Sequence, residues 1–241
     1  MACVPGAARE AAPSPRAEIV AVEPRPTPAE APIERVRELP VEGYLPALLF
    51  APAGNEQARL IVATHGAGGA PEGECDYWRQ LSAGSAFLLC LRGKSMGGGS
   101  YYYPNHHELD GELRAAERAA RAAEARILPG GGVYAGFSQG ASMGSAIVAR
   151  HAATLPYVVL IEGFELWNIP RARSFARAGG RRILFVCGTR QCDSIARESA
   201  RFIGQVGLDV RVEYAAGAGH TAGGEVMERV AGSLAWLLLD D

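Results

Sequence analysis

Gly132-Val133-Tyr134-Ala135-Gly136-Phe137-Ser138-Gln139-Gly140-Ala141-Ser142-Met143-Gly144 is the stretch that decides how this chain is read. A short β-prone run stops at Gly136-Phe137-Ser138-Gln139-Gly140, and the chain passes directly into an Ala/Met/Ile/Val stretch with helical character. Strand, sharp turn and helix within so few residues is the context of a nucleophile elbow, where a serine in a strained conformation projects above the end of a sheet. The flanking glycines leave room where side chains would collide with a strand and helix packed this closely. The bare five-residue pattern arises by chance in a Gly-rich chain; the strand and helix on either side give it weight.

Upstream of the elbow, alternating apolar positions begin at Ile33, with Glu42-Gly43 as a hairpin turn and Leu45 to Phe50 as the returning strand. Arg59 to Thr64 is continuously apolar, as expected of a strand buried on both faces, and it empties into His65-Gly66-Ala67-Gly68-Gly69. A helix around Tyr77 to Ser82, a strand from Ala86 to Leu91, a Gly-rich segment and a helix from Glu108 to Ile127 then lead to the elbow strand. Downstream, strands are expected at Tyr157 to Ile161, Arg182 to Val186 and Leu208 to Tyr214. Helices are expected at Ser194 to Val206 and Gly223 to Leu239, with a short connecting segment from Glu162 to Gly180. Strands alternating with helices predict an α/β fold: a mostly parallel twisted sheet with helices on both faces.

The 241 residues are 48% apolar and carry a formal charge of -2, enough to bury a substantial core. Arginines are scattered and Lys94 is the only lysine, so no basic footprint for nucleic acid forms. No apolar run approaches the roughly 20 residues needed to span a membrane. Residues 1–32 carry prolines at 5, 13, 15, 24, 26, 28 and 32 with few large apolar groups, which reads as a tail or linker ahead of a domain over 33–241. The five cysteines, Cys3, Cys75, Cys90, Cys187 and Cys192, have no metal-ligand spacing. Cys187 and Cys192 are near enough to bridge in an oxidising compartment, but the favoured reading makes Cys90 and Cys187 small buried hydrophobes.

A serine hydroxyl is a poor nucleophile until a base takes its proton, so Ser138 needs a histidine within reach. His220, in Gly217-Ala218-Gly219-His220-Thr221 after the last strand, lies where a parallel sheet gathers its functional loops. His151 falls at the end of the elbow helix and reads as structural. The acid that orients the imidazole is expected between Ser138 and His220 in chain order. Asp193 is the first candidate, although it can equally cap the helix that follows; Glu162 and Glu165 are the alternatives. Backbone N–H groups of Gln139 and Ala67 are the candidate donors for a developing oxyanion, the first at a helix start and the second in the glycine loop.

These features together resemble the α/β-hydrolases, from about Val41 to Leu239. Gly-Phe-Ser-Gln-Gly-Ala, His-Gly-Ala-Gly-Gly and the late Gly-His are most similar to the compact branch containing dienelactone hydrolases and the phospholipase/carboxylesterase and acyl-protein thioesterase group. In that group the acid commonly stands three residues after the glycine that follows its strand; that register falls here on Gln191, with Asp193 two residues further on. The resemblance implies a serine hydrolase that cleaves small or exposed carboxylic esters through an acyl-enzyme, with a minimal lid and no metal or cofactor. A thioesterase or peptidase with the same residues, and a non-catalytic binding domain, are the alternatives. His65, Gly66, Tyr103, His106 and Trp167 are expected to border the substrate pocket. Gly93-Lys94-Ser95 lacks the upstream glycine of a phosphate-binding loop. Met1-Ala2-Cys3 before a Pro-rich linker resembles a lipoprotein just past its processing site; with a preceding signal peptide, Cys3 would carry a lipid anchor in the cell envelope, and otherwise a cytoplasmic location stays open.

Overall fold

The computed structural model describes residues 35–238. The tail, Cys3 and the first residues of the expected domain lie outside the described residues.

β1 (Arg35–Leu39) and β2 (Ala47–Ala51) form an antiparallel pair in which Arg35 stands opposite Ala51 and Leu39 opposite Ala47. Their turn is the one expected at Glu42-Gly43: Tyr44 N–H donates to Val41 C=O at 3.1 Å, and Gly43 takes the left-handed φ of 79° that a glycine adopts at no steric cost. β3 (Leu60–Thr64) leads through the glycine loop to α1 (Pro71–Leu81), and β4 (Phe87–Cys90) follows. α1 begins six residues before the expected Tyr77. Proline at the first helical position and Glu72 and Glu74 in the first turn suit a helix start, but this polar opening has no apolar periodicity to reveal it.

The Gly-rich segment folds into a small antiparallel hairpin, β5 (Lys94–Gly97) and β6 (Ser100–Tyr102), which the sequence did not predict. α2 (His106–Ala123) starts where the Asn105 side chain accepts the N–H groups of His107 and Glu108 at 2.9 and 3.0 Å, a cap that contributes about 1 kcal/mol. The elbow follows as β7 (Val133–Phe137) and α3 (Gln139–Ile147). The last elements are β8 (Tyr157–Ile161), α4 (Ile169–Arg177), β9 (Arg182–Cys187), α5 (Arg190–Gly204), β10 (Asp209–Tyr214) and α6 (Glu225–Leu237). α4 is an addition to the short segment expected there. α5 starts four residues before Ser194 because Thr189 caps it, accepting Cys192 N–H at 3.3 Å.

Eight of these strands form one sheet in the order β1-β2-β4-β3-β7-β8-β9-β10. β2 runs antiparallel to both of its neighbours, and every pairing from β4 to β10 is parallel. Alternate residues of each buried strand point to opposite faces, as the pleat requires. Val62, Tyr134, Leu160 and Phe185 pack toward α2, α3, α4 and α5, while Ile61, Ala135, Val159 and Leu184 pack toward α1 and α6. Burying each of the Val, Leu, Ile and Phe side chains among them contributes roughly 1.5–3 kcal/mol, which is how the sheet and both helix layers hold together.

Cys75–Cys90 and Cys187–Cys192 are disulfides, with Cα separations of 5.8 and 5.5 Å. This corrects the reading of Cys90 and Cys187 as unpaired hydrophobes: both are fully buried, but α1 packed on β4 delivers Cys75 to Cys90, and the first turn of α5 folds Cys192 back on Cys187. His151 sits buried at the end of the elbow helix, 2.8 Å from Asp110 of α2. No described helix is long and apolar enough to cross a membrane.

Candidate active site

Parallel pairing brings the ends of β3, β7, β8 and β9 to one edge. Thr64 stands beside Gly136, Phe137 beside Ile161, and Ile161 beside Val186, so the next residues, His65, Ser138, Glu162 and Gly188, emerge together. Backbone bonds continue past the strand ends: Ser138 N–H to Ile161 C=O at 2.9 Å and Glu162 N–H to Val186 C=O at 3.0 Å.

Ser138 has φ 50° and ψ -110°, a left-handed conformation for a residue with a side chain, and Glu162 has φ 51°. Only Ala83 shares this feature among the described non-glycine residues. Each such residue costs on the order of 1–3 kcal/mol and persists where its surroundings impose it. At the elbow the imposition is steric: a Cβ on Gly136 would lie 2.7 Å from Ala141 N, and one on Gly140 would lie 2.5 Å from Thr64 O. The two glycines let α3 leave directly over the end of β3, with Gly140 N–H donating to His65 C=O at 3.1 Å.

Ser138 Oγ lies 2.8 Å from His220 Nε2, and His220 Nδ1 lies 3.1 Å from Glu162 Oε2. The imidazole is 55% exposed on one side and meets the Phe137 ring at 5.4 Å on the other, whereas the Glu162 side chain is 1% exposed. Glu162 accepts hydrogen bonds from Gly188 N–H, from Thr189 N–H at 2.8 Å and from the Thr189 hydroxyl at 3.2 Å. A buried carboxylate with its oxygens so occupied stays in one orientation.

Asp193, the first candidate for this position, is elsewhere. It lies in the first turn of α5 and takes Arg197 Nε at 2.9 Å across one helical turn, the place of a residue serving the helix start. Glu165 is exposed and holds Arg171 at 2.8 Å. The acid facing His220 is Glu162, named from the sequence only as an alternative.

The glycine loop after β3 runs against the elbow: a Cβ on Gly66 would lie 3.0 Å from Ser138 Cβ. Gly68 N–H donates to Tyr101 C=O at 2.8 Å and Gly69 N–H to Gly66 C=O at 3.0 Å, so two of the loop's amides are committed within the fold. Ala67, just ahead of them, is exposed. Gln139 is the first residue of α3, and a first helical N–H has no acceptor within its own helix. The Gln139 side chain turns the other way and accepts Tyr103 N–H at 2.8 Å.

Two clefts adjoin the elbow and the His220 loop. One, of about 210 Å³, is lined by Ser142, Glu162, Phe164, Thr189, Ile195 and His220 among others. The second, of about 400 Å³, is lined by the glycine loop, His65, Glu74, Tyr77 and Phe137. Burial pushes the Glu74 carboxyl up to about 8, and Trp78 Nε1 donates to it at 3.2 Å. His65 and Gly66 line this second cleft, although His65 is nearly buried, its ring nitrogens 2.7 Å from Gly66 C=O and 3.0 Å from Arg92 C=O.

Tyr103 and Trp167 do not border either cleft. Tyr103 is buried under the loop, stacked on His65 with ring centroids 4.9 Å apart, and Trp167 is buried edge-on against Phe175 of α4. Both aromatics lie in segments that border the site, but their large apolar faces are taken up by the core. His106 opens α2 beside His107 and lines neither cleft. The Tyr101–Tyr103 segment instead braces the glycine loop through the paired bonds between Tyr101 and Gly68 and Gly69.

Gly188 and Thr189 were not singled out from the sequence. The usable signal was Ile161-Glu162-Gly163, an acid directly after a buried strand in the same register as Phe137-Ser138. Among the described residues one group of potential metal ligands comes together, Glu162, Cys187 and Cys192, with donor atoms within 4.8 Å of one another; both sulfurs are committed to a disulfide.

No family model and no curated protein matches this sequence. Solved structures do match. A dienelactone hydrolase from Anabaena variabilis superposes with a TM-score of 0.64 at 14% identity, over 86% of this chain and 97% of that one. A Thermus thermophilus protein gives 0.62 at 17% identity, over 87% and 100%. A Bacillus cereus carboxylesterase gives 0.53 at 17% identity, over 77% and 91%. At these identities the likeness is one of fold: the chain has the α/β-hydrolase fold.

Proposed function

We propose that this α/β-hydrolase-fold chain is a serine hydrolase that cleaves carboxylic esters through an acyl-enzyme. The observation that carries the reading is the chain of contacts from Ser138 Oγ to His220 Nε2 at 2.8 Å and from His220 Nδ1 to Glu162 at 3.1 Å, with the serine on a strained elbow. His220 takes the Ser138 proton as Oγ attacks the ester carbonyl, and Glu162 keeps Nδ1–H directed and steadies the imidazolium. The oxyanion is met by the Gln139 and Ala67 N–H groups. Collapse of the tetrahedral intermediate breaks the ester C–O bond, and the leaving alcohol receives the proton from His220. Water then attacks the acyl-enzyme with His220 again as base, releasing the acid and restoring Ser138.

The flanking clefts of about 210 and 400 Å³ suit small or exposed acyl and alcohol groups. The two disulfides support work in an oxidising compartment. A fluorophosphonate probe should label the wild type and leave Ser138→Ala dark, and p-nitrophenyl acetate hydrolysis should fall by about 10⁶ in kcat in that variant. Folded wild-type protein that neither labels nor turns over p-nitrophenyl esters would point instead to a hydrolase-like binding domain.

A further inference from the structure

The Cys187–Cys192 disulfide lies within the candidate site. Cys187 ends β9 and Cys192 stands in the first turn of α5, five residues on, so the bond closes a tight loop around Gly188 and Thr189. Those two residues supply both N–H donors and the hydroxyl that Glu162 accepts. The two sulfurs and a Glu162 carboxylate oxygen lie within 4.8 Å of one another, and Cys192 lines the cleft shared by Glu162, Thr189 and His220. Cys192 N–H also donates to Thr189 Oγ1 at 3.3 Å, tying the same hydroxyl from the other side. Glu162 meanwhile holds a left-handed backbone, a conformation that needs its surroundings to enforce it. Cys75–Cys90 is different: it joins α1 to β4 and contributes no donor to Glu162.

We infer that Cys187 and Cys192 are a positioning pair: their cross-link holds the Gly188-Thr189 donors against Glu162 and, through Glu162, sets the His220 ring toward Ser138. This rests on the reading of Ser138, His220 and Glu162 given above. A dithiol such as dithiothreitol opens the bond by passing two electrons and two protons to it, leaving two protein thiols and an oxidised, cyclic reagent. The loop between β9 and α5 is then free to drift from Glu162. Displacement on the scale of 1 Å in such an arrangement costs up to about 100-fold in rate. The loss falls on kcat more than on KM, because the loop positions the proton relay.

The test compares wild type, C187A/C192A and C75A/C90A by melting temperature, by kcat and KM on p-nitrophenyl acetate across pH, and by the downfield proton resonance of His220 Nδ1–H. C187A/C192A should lose roughly tenfold to a hundredfold in kcat and lose or broaden the resonance. C75A/C90A should melt lower while keeping both. Dithiothreitol added to C75A/C90A opens only Cys187–Cys192 among the described cysteines; it should reproduce the loss, and reoxidation should restore activity. This arm also decides the matter if C187A/C192A does not fold. A C187A/C192A protein with wild-type kcat and resonance would overturn the inference, as would equal losses in both cysteine-pair variants. Were the wild type inactive on every ester, the reading of the site would fail, and the resonance alone would still decide the positioning role.

Discussion

Two loops at the same edge of the sheet each present an acid, and their environments are opposite. After β8, Glu162 is buried, left-handed at φ 51°, occupied by three donors from the neighbouring loop, and in contact with His220. After β9, Asp193 rides on the first turn of α5 and pairs with Arg197 one turn on. By residue type and place in the chain the two are nearly equivalent. What separates them is that one loop supplies donors and the other receives them: the β9 loop, where the resemblance placed the acid, here serves as the cradle for an acid one strand earlier.

The strongest way to break this comparison is to exchange the roles. Glu162→Gln should lower kcat by about 10⁴ while leaving the fold intact, since an amide of the same shape cannot hold the imidazole in the working tautomer; a drop confined to Asp193→Asn would reverse the assignment. Glu162→Asp keeps the charge but withdraws it by one methylene, and steady-state kinetics should record a loss near 10² in kcat. Thr189→Val removes one of the three donors and the α5 cap together. The expected result is about tenfold in kcat, together with about 1 kcal/mol of stability in urea titration.

A third acid sharpens the contrast. Glu74 is buried like Glu162, but it takes the Trp78 indole N–H rather than a cradle of loop donors, and burial raises it to about 8. Because its folded value lies above the ordinary 4.5, the folded chain binds a proton that the unfolded chain has released over the window from about 4.5 to 8. Stability from this group is therefore fully present below that window and declines through it as pH rises, by about 1.4 kcal/mol per unit. Chemical denaturation of the wild type and Glu74→Gln at pH 5, 6.5 and 8 should show the slope in the first and its loss in the second. The smallest effect is expected at Asp193→Asn: unchanged kcat/KM, and no more than about 1 kcal/mol in stability for an ion pair one helical turn apart whose Arg197 end is exposed and whose Asp193 end is half-buried. A tenfold loss there would return Asp193 to the site.

Much of the architecture was legible because it is written in local pattern. Continuous apolar runs at Arg59 to Thr64 and Tyr157 to Ile161 mark strands covered on both faces, and β3 and β8 lie there. Helix starts were less legible. α1 and α5 open on polar turns whose signals are a proline and a capping threonine, while the apolar faces that reveal them come later. The Cys75–Cys90 disulfide was hidden for another reason. Cys75 and Cys90 are 15 residues apart, and only the packing of α1 on β4 makes them neighbours. Tyr103 and Trp167 were misjudged because residence in a loop near the site says nothing about which way a large ring turns, and both turn into the core.

The sequence by itself determined the elbow. Gly136 clears Ala141 five residues on, a collision local to the motif, and Gly140 clears Thr64 of β3, so the two glycines mark both the turn and the strand it crosses. His220 followed as a histidine in the loop beyond the last strand. Only the tertiary structure showed which acid faces His220, because that turns on which loop reaches an imidazole 58 residues away and on donors that arrive from beyond a separate strand, 26 residues further along the chain from Glu162. Parallel strand pairing sets those distances, and a one-dimensional reading prefers Asp193 to Glu162 until β8 and β9 are laid side by side.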